Sequence, residues 1–230
     1  MTAHAFPPPP VVDLPIQGRA ERFPVRRIFC VGRNYEAHAK EMGHEVDREA
    51  PFYFTKSRDT VQESGATQPY PPGTQNYHYE MEFVVALGAP AFQIAPEDAL
   101  ATVFGYACGL DMTRRDLQQK GKDKGRPWDL GKDVDNSAVM AEVVPVAACG
   151  HPTTGRIFLE VDGTVKQDAD LSDLIWSVPE LIADLSKFYR LQPGDLIFTG
   201  TPAGVGPVGP GANLHGGIDG LGTIDLKIAG

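Results

Sequence analysis

The sequence predicts an α+β domain that is mainly β, with a few short helices. Three observations carry this reading. Apolar runs are short, as in Phe83-Val84-Val85-Ala86-Leu87 and Val103-Phe104-Gly105-Tyr106-Ala107-Cys108-Gly109-Leu110, and turn-forming residues separate them. The 230 residues include 25 Gly and 20 Pro, a composition rich in turns. A sustained helical stripe occurs at Leu181, Ile182, Leu185 and Phe188. It follows a capping box of Ser177 and Glu180, and the helix is expected to run to about Leu191, where Pro193-Gly194-Asp195 ends it.

The elements follow in chain order. Residues 1–24, with Pro7 to Pro10 consecutive, are expected to form an extended polyproline-like arm, and residues 25–230 a single catalytic domain. In Gly32-Arg33-Asn34-Tyr35-Glu36-Ala37-His38-Ala39-Lys40-Glu41-Met42-Gly43, Asn34 suits a helix start and Gly43 a helix stop. That helix would set His38 and Glu41 on one face at i and i+3. Pro69 to Gly73 form a turn before the strand that carries Glu80 and Glu82. The Val103–Leu110 run reads as a buried strand delivering Asp111, after which Thr113 is a candidate cap for a helix over Arg114 to Gln119. Lys120, Lys122, Lys124 and Arg126 read as a solvated loop, with the alternative that one of them meets a substrate carboxylate, and Phe158 to Lys166 as a hairpin turning at Asp162-Gly163.

The strand period puts Glu80 and Glu82 on one face, about 7 Å apart, with Tyr79, Met81, Phe83 and Val85 on the other. At an effective dielectric near 20 two such anions repel by about 2.5 kcal/mol, and burial adds to that. Water on an exposed edge resolves the conflict, and so does a bound cation. Asp111 reads either as a local turn or capping acid or as a third ligand. Three carboxylates with no Cys or His at zinc spacing favour a hard cation, Mg²⁺ first and Mn²⁺ or Ca²⁺ next. His38 with Glu41 is either a solvated helical pair or an oriented general base, since a carboxylate beside imidazole fixes its tautomer and steadies the imidazolium. Thr199 to Gly206 lack a following Gly-Lys-Ser/Thr, which excludes a P-loop and leaves a cleft-lining turn.

A net charge of −9 argues against nucleic acid or an anionic membrane as partner. Cys30, Cys108 and Cys149 are odd in number and two lie in apolar runs, which suits reduced thiols in the cytoplasm. No apolar run reaches the roughly 18 residues of a membrane span, and no signal peptide is expected.

Taken together, Gly32-Arg33-Asn34-Tyr35 with His38 and Glu41-Met42-Gly43, Tyr79-Glu80-Met81-Glu82, Asp111-Met112-Thr113-Arg114-Arg115-Asp116-Leu117-Gln118, Gly131-Lys132 and Pro193 to Gly206 resemble the fumarylacetoacetate hydrolase family in order and spacing. The resemblance implies a mixed β-sandwich roll, a homodimer, a metal held by Glu80, Glu82 and Asp111, and a His38–Glu41 dyad on a lid. It places Lys132 beside the substrate and Arg33, Gln118 and Thr201 among its contacts. The implied reaction is hydrolysis of a carbon–carbon bond in a small anionic oxo acid, an acylpyruvate. Fumarylpyruvate is favoured because the wording of Arg26 to Tyr35 and Gly109 to Asp116 is similar to bacterial family members acting on it. Arg33, Arg114 or Lys124 would meet its distal carboxylate. Oxaloacetate decarboxylation, 2-hydroxy-dienedioate isomerisation and a catalytically dead metal-binding protein are the alternatives.

Overall fold

The Met81–Leu87 strand is buried along its whole length, and the rest of the fold is arranged to cover its two faces. The structure is a computed structural model that describes residues 3–41 and 48–230. Met81–Leu87 pairs antiparallel with Val103–Asp111 on one side and with Asp195–Phe198 on the other. They belong to an eight-stranded mixed sheet that runs in the order Phe52–Lys56, Arg27–Gly32, Asp195–Phe198, Met81–Leu87, Val103–Asp111, Ala138–Met140 and Val61–Glu63, with Val144–Pro145 added against Val103–Asp111. A five-stranded sheet contains the Arg156–Val161 and Thr164–Asp170 hairpin, which turns through left-handed Asp162 and Gly163 as the sequence predicts.

Alternation decides what each face meets. Met81, Phe83, Val85 and Leu87 enter the larger core with Ile157, Leu159, Leu214, Ile224 and Leu226 of the five-stranded sheet. Leu181, Ile182 and Leu185 of the Val178–Phe188 helix close that core, each fully buried side chain contributing roughly 1.5–3 kcal/mol. Phe188, expected on the same stripe, is 69% exposed because the helix ends there, a turn before the expected limit. Val84 and Ala86 point the other way, into a second core with Cys30, Ala107 and Phe198. Burial of both faces explains why this antiparallel strand reads as a continuous apolar run.

Part of the expected arm is not extended. Residues 3–10 are exposed, but Asp13–Pro15 and Arg22–Pro24 form a hairpin whose Leu14 and Phe23 fill the second core. Alternate burial within a polar, Pro-broken stretch left little periodic signal. Two caps also differ from expectation. Asn34 is fully buried and spends its amide on Trp176 O and Thr199 O rather than on the Glu36–Glu41 helix. Thr113 is buried in a short strand, where its hydroxyl donates to Asp111 O, and the next helix starts at Arg115 without a side-chain cap. The Gly43 stop and His44 lie outside the described residues. Lys120 and Lys122, expected in a loop, continue the Arg115–Asp123 helix through Gly121. No helix among the described residues is long and apolar enough to cross a membrane.

Gly109 faces Glu82 across the sheet, and a methyl there would meet Val84 Cγ2 at 2.6 Å and Phe198 Cε1 at 2.7 Å. Gly109→Ala is expected to lower stability by about 1–3 kcal/mol through overpacking, read as a lower urea midpoint at unchanged m-value.

Candidate active site

The chain changes sheets at Glu80. Tyr77–Tyr79 belongs to a three-stranded sheet and Met81–Leu87 to the eight-stranded one, so Glu80 sits at the break and Glu82 two residues on, along the same face. Gln167, fully buried in the opposite sheet, holds the break open by accepting from Met81 N–H at 2.9 Å while its amide donates to Thr201 Oγ1 and Pro202 O. The Val103–Asp111 strand returns alongside, and Asp111 N–H donates to Glu80 O at 2.9 Å. Three carboxylates therefore meet at the polar end of the second core. One ligand oxygen from each of Glu80, Glu82 and Asp111 lies within 4.8 Å of the others, and all three residues are buried.

Three cations answer the three acids. Lys132 Nζ lies between Glu80 Oε2 and Asp111 Oδ2, 2.6 Å from each, and is 2% exposed. Arg115 pairs with Glu80 from the mouth of the cleft. Lys56 Nζ stands 2.9 Å from Asp111 Oδ1 as an ion pair without hydrogen-bond alignment. It donates to Ser137 Oγ at 2.7 Å, to Met112 O at 3.2 Å and to Lys132 O. Burial pushes the Glu80 carboxyl up, but Lys132 and Arg115 outweigh it and hold that carboxyl below the usual range. Glu82 has one direct donor, Gly200 N–H at 2.8 Å; burial, then Asp111 and Glu80, push its carboxyl well above the usual range. Burial likewise opposes the Lys132 ammonium, and Asp111 with Glu80 overcome it and raise its pKa.

These residues fit a hard divalent cation. The donors are all carboxylate oxygens, and the Lys132 ammonium already stands where positive charge is wanted between two of them. Lys132 thus contacts two of the acids directly.

His38 and Glu41 lie on the short Glu36–Glu41 helix above the acids. His38 Nδ1 is 3.2 Å from Glu41 Oε2, and Gly204 N–H donates to both Glu41 oxygens at 3.1 Å. The turn after Thr199 thus latches the helix. Gly200, at φ 102°, turns the chain so that its N–H reaches Glu82; a side chain there would meet Asn34 Cβ at 2.8 Å. Burial lowers the His38 pKa, partly offset by Glu80 and Glu41, so the ring is neutral at pH 7.

Val31, Gly32, Arg33, His38, Phe54, Glu80, Glu82, Arg115, Gln118, Lys122, Trp128, Lys132 and Thr201 line one cleft. Of the proposed catalytic, metal-holding and Gln118, Thr201 and Arg33 positions it gathers all except Asp111, which backs the acids, and Glu41, which backs His38. Gln118 accepts from Arg115 at 2.7 Å, and Thr201 is held by Gln167. The cleft has a volume of about 40 Å³, room for about three waters. Arg114 and Lys124, candidates for a distal carboxylate, do not line the cleft, and Arg115 and Lys122 do. The sequence reading missed Lys56, Arg115 and Trp128, and it left Lys122 as one of four cations open to a substrate carboxylate. Lys56 carries no signal in a single sequence beyond being a lysine on the same face of its strand as Phe52 and Phe54.

Comparison with known proteins returns one consistent group. The family described as fumarylacetoacetate (FAA) hydrolase C-terminal matches residues 27–229. A fumarylpyruvate hydrolase of a Ralstonia species is 53% identical over 189 residues, covering 81% of this chain and 98% of that protein. A mitochondrial oxaloacetate tautomerase of Arabidopsis thaliana is 39% identical over 202 residues, covering 88% of this chain and 90% of that protein. The crystal structure of fumarylpyruvate hydrolase from Pseudomonas aeruginosa in complex with Mn²⁺ and pyruvate superposes with a TM-score of 0.95 at 49% identity, covering 99% of each chain.

Lys56→Met leaves Asp111 buried with one cation fewer and removes a donor from the Met112 and Lys132 carbonyls, the latter keeping Ser137 Oγ. Its expected cost is about 3–5 kcal/mol in chemical denaturation, whereas Lys56→Arg, if it fits, keeps part of the charge balance. A loss under 1 kcal/mol for Lys56→Met would show that Asp111 does not depend on it.

Proposed function

The chain belongs to the fumarylacetoacetate hydrolase family, and from that premise we propose that it hydrolyses the carbon–carbon bond of an acylpyruvate, with fumarylpyruvate cleaved to fumarate and pyruvate. One observation carries the reading: three buried carboxylates within 4.8 Å of one another share a cleft with a neutral, carboxylate-oriented histidine. Glu80, Glu82 and Asp111 would hold a divalent metal. Mg²⁺ suits all-oxygen donors, and the Mn²⁺ recorded in the Pseudomonas relative supports the same class. Bound there, the cation supplies Lewis-acid charge that holds the oxo acid and stabilises negative charge on its oxygens.

The chain's own residues do the rest. His38 takes a proton from water at Nε2, leaving hydroxide to attack the C4 carbonyl, while Glu41 keeps Nδ1 as the donor side and steadies the imidazolium. The C3–C4 bond then breaks, its electron pair passing to the departing pyruvate as an enolate, which is protonated at C3. Lys132 holds developing negative charge with its ammonium, and Gln118, Thr201 and Arg33 position the substrate. A homodimer in the cytoplasm belongs to the same proposal; the family resemblance and three unpaired thiols support it. A second reading, oxaloacetate tautomerisation, is favoured by the Arabidopsis relative and needs a proton moved between O2 and C3 of the substrate, with no attack by water. Parallel assays on fumarylpyruvate and on enol-oxaloacetate separate the two: faster turnover of the latter would replace hydrolysis as the main activity.

His38→Ala is expected to lower kcat for fumarylpyruvate roughly 10²–10⁴-fold while the variant stays folded; full activity would remove His38 as the base. Because burial lowers the His38 pKa, the acid limb of kcat/KM for the native protein should fall below the ordinary histidine value of 6.5. Only the neutral ring accepts a proton, so activity is lost as pH drops through that limb and kept above it. Stripping metal with a chelator should abolish turnover, and Mg²⁺ or Mn²⁺ should restore it.

A further inference from the structure

Two aromatic rings, Phe54 and Trp128, line the cleft, a third, Phe52, packs against Trp128, and each of the three carries one cation. Phe54 carries Lys132, with Nζ 4.8 Å from the ring centre. Trp128 packs 5.9 Å from Phe54 and carries Lys122 at 5.0 Å. Phe52 meets Trp128 edge-on at 5.0 Å and carries Arg33 at 6.0 Å. The series runs outward from buried Lys132 through half-buried Lys122 to exposed Arg33.

The three cations differ in their partners. Lys132 is neutralised by Glu80 and Asp111. Among the described residues neither Lys122 nor Arg33 makes an ion pair, and both line the cleft. Both cations line the same cleft over linked aromatic rings and Arg33 disfavours the Lys122 charge, a repulsion that an anion joining them would relieve. Burial, then Arg115 and Arg33, pull the Lys122 pKa down to about 8, which marks how poorly its charge is compensated. Cation–aromatic contacts fix the positions of both heads without consuming their hydrogen-bond donors. Arg33 is also pinned by its backbone, at φ 60°, a left-handed conformation few arginines adopt.

We propose that Lys122, with Arg33 beside it, forms the subsite for a carboxylate at the far end of the substrate's acyl tail, which makes the cleft selective for acylpyruvates that are dicarboxylic acids. This rests on the acylpyruvate reading of the same cleft. The metal end recognises the oxo-acid head common to all acylpyruvates and does not distinguish their tails. The outer pair supplies that discrimination, because a charged tail joins two uncompensated cations whereas a methyl tail leaves them unpaired.

The test compares fumarylpyruvate with acetylpyruvate, which keeps the reacting end and lacks the tail charge. Lys122→Met keeps the apolar stem over Trp128 and removes the charge. The ratio of kcat/KM for fumarylpyruvate over acetylpyruvate is expected to fall roughly 10–100-fold, the effect of losing one charge-assisted hydrogen bond, mostly through KM. Lys122→Arg should recover most of the ratio, and inhibition by the product fumarate should weaken in Lys122→Met while inhibition by pyruvate does not. Equal losses on both substrates, or an unchanged ratio, would overturn the subsite. Calorimetric binding of fumarate to the metal-loaded protein separates this from the hydrolase reading. If neither acylpyruvate is cleaved yet fumarate binding depends on Lys122, the reaction is wrong and the subsite stands; if both are cleaved and fumarate binding ignores Lys122, the subsite is wrong.

Discussion

Three carboxylates that repel one another are forced together at the end of a buried sheet, and much of the surrounding structure exists to make that tolerable. Each would cost several kcal/mol if left unpaired at such depth. Lys132, Lys56 and Arg115 supply matching charge from three separate segments, and Gly200 N–H serves the acid that those cations reach least. The balance is uneven. Lys132 and Arg115 hold the Glu80 carboxyl down, whereas burial, Asp111 and Glu80 push the Glu82 carboxyl up, so the side of the group at Glu82 is the one short of positive charge. A divalent cation meets that demand better than an ammonium, having more charge in a smaller radius and no alkyl stem to pack.

The same constraint couples the three acids to His38 and Glu41. Lys56 touches both Asp111 and the carbonyl of Lys132, so the acid and the lysine share one anchor. Gln167 ties the strand break at Glu80 to the turn carrying Thr201, and Gly204 of that turn latches Glu41 and, through it, His38. A movement of the turn would therefore reach the acids and the histidine together. The latch consists of one N–H shared by two acceptors at the end of a short helix.

Much of the site was legible in the sequence because strand and helix periods are local properties. Alternation puts Glu80 and Glu82 on one face, and the i, i+3 spacing puts His38 beside Glu41, whatever the rest of the chain does. The mainly-β class, the Asp162-Gly163 hairpin and the capped helix after Ser177 followed from the same short-range rules. The failures are equally physical. Asn34 and Thr113 looked like helix caps because their side chains suit that role, but burial gave their polar atoms other partners. The hairpin at residues 13–24 was hidden because its apolar residues serve a core that lies far along the chain.

The amino-acid sequence by itself determined which chemistry was present: three acids, an oriented imidazole and a lysine in an order typical of one family. Only the tertiary structure decided how charge is shared among them, because Lys56, Arg115 and Lys122 are distant or unremarkable in sequence and acquire meaning from burial and neighbours. Local geometry is set by bonds and backbone sterics within a few residues, whereas the strength and sign of an electrostatic interaction depend on what surrounds both charges, and that is fixed only when separate segments pack.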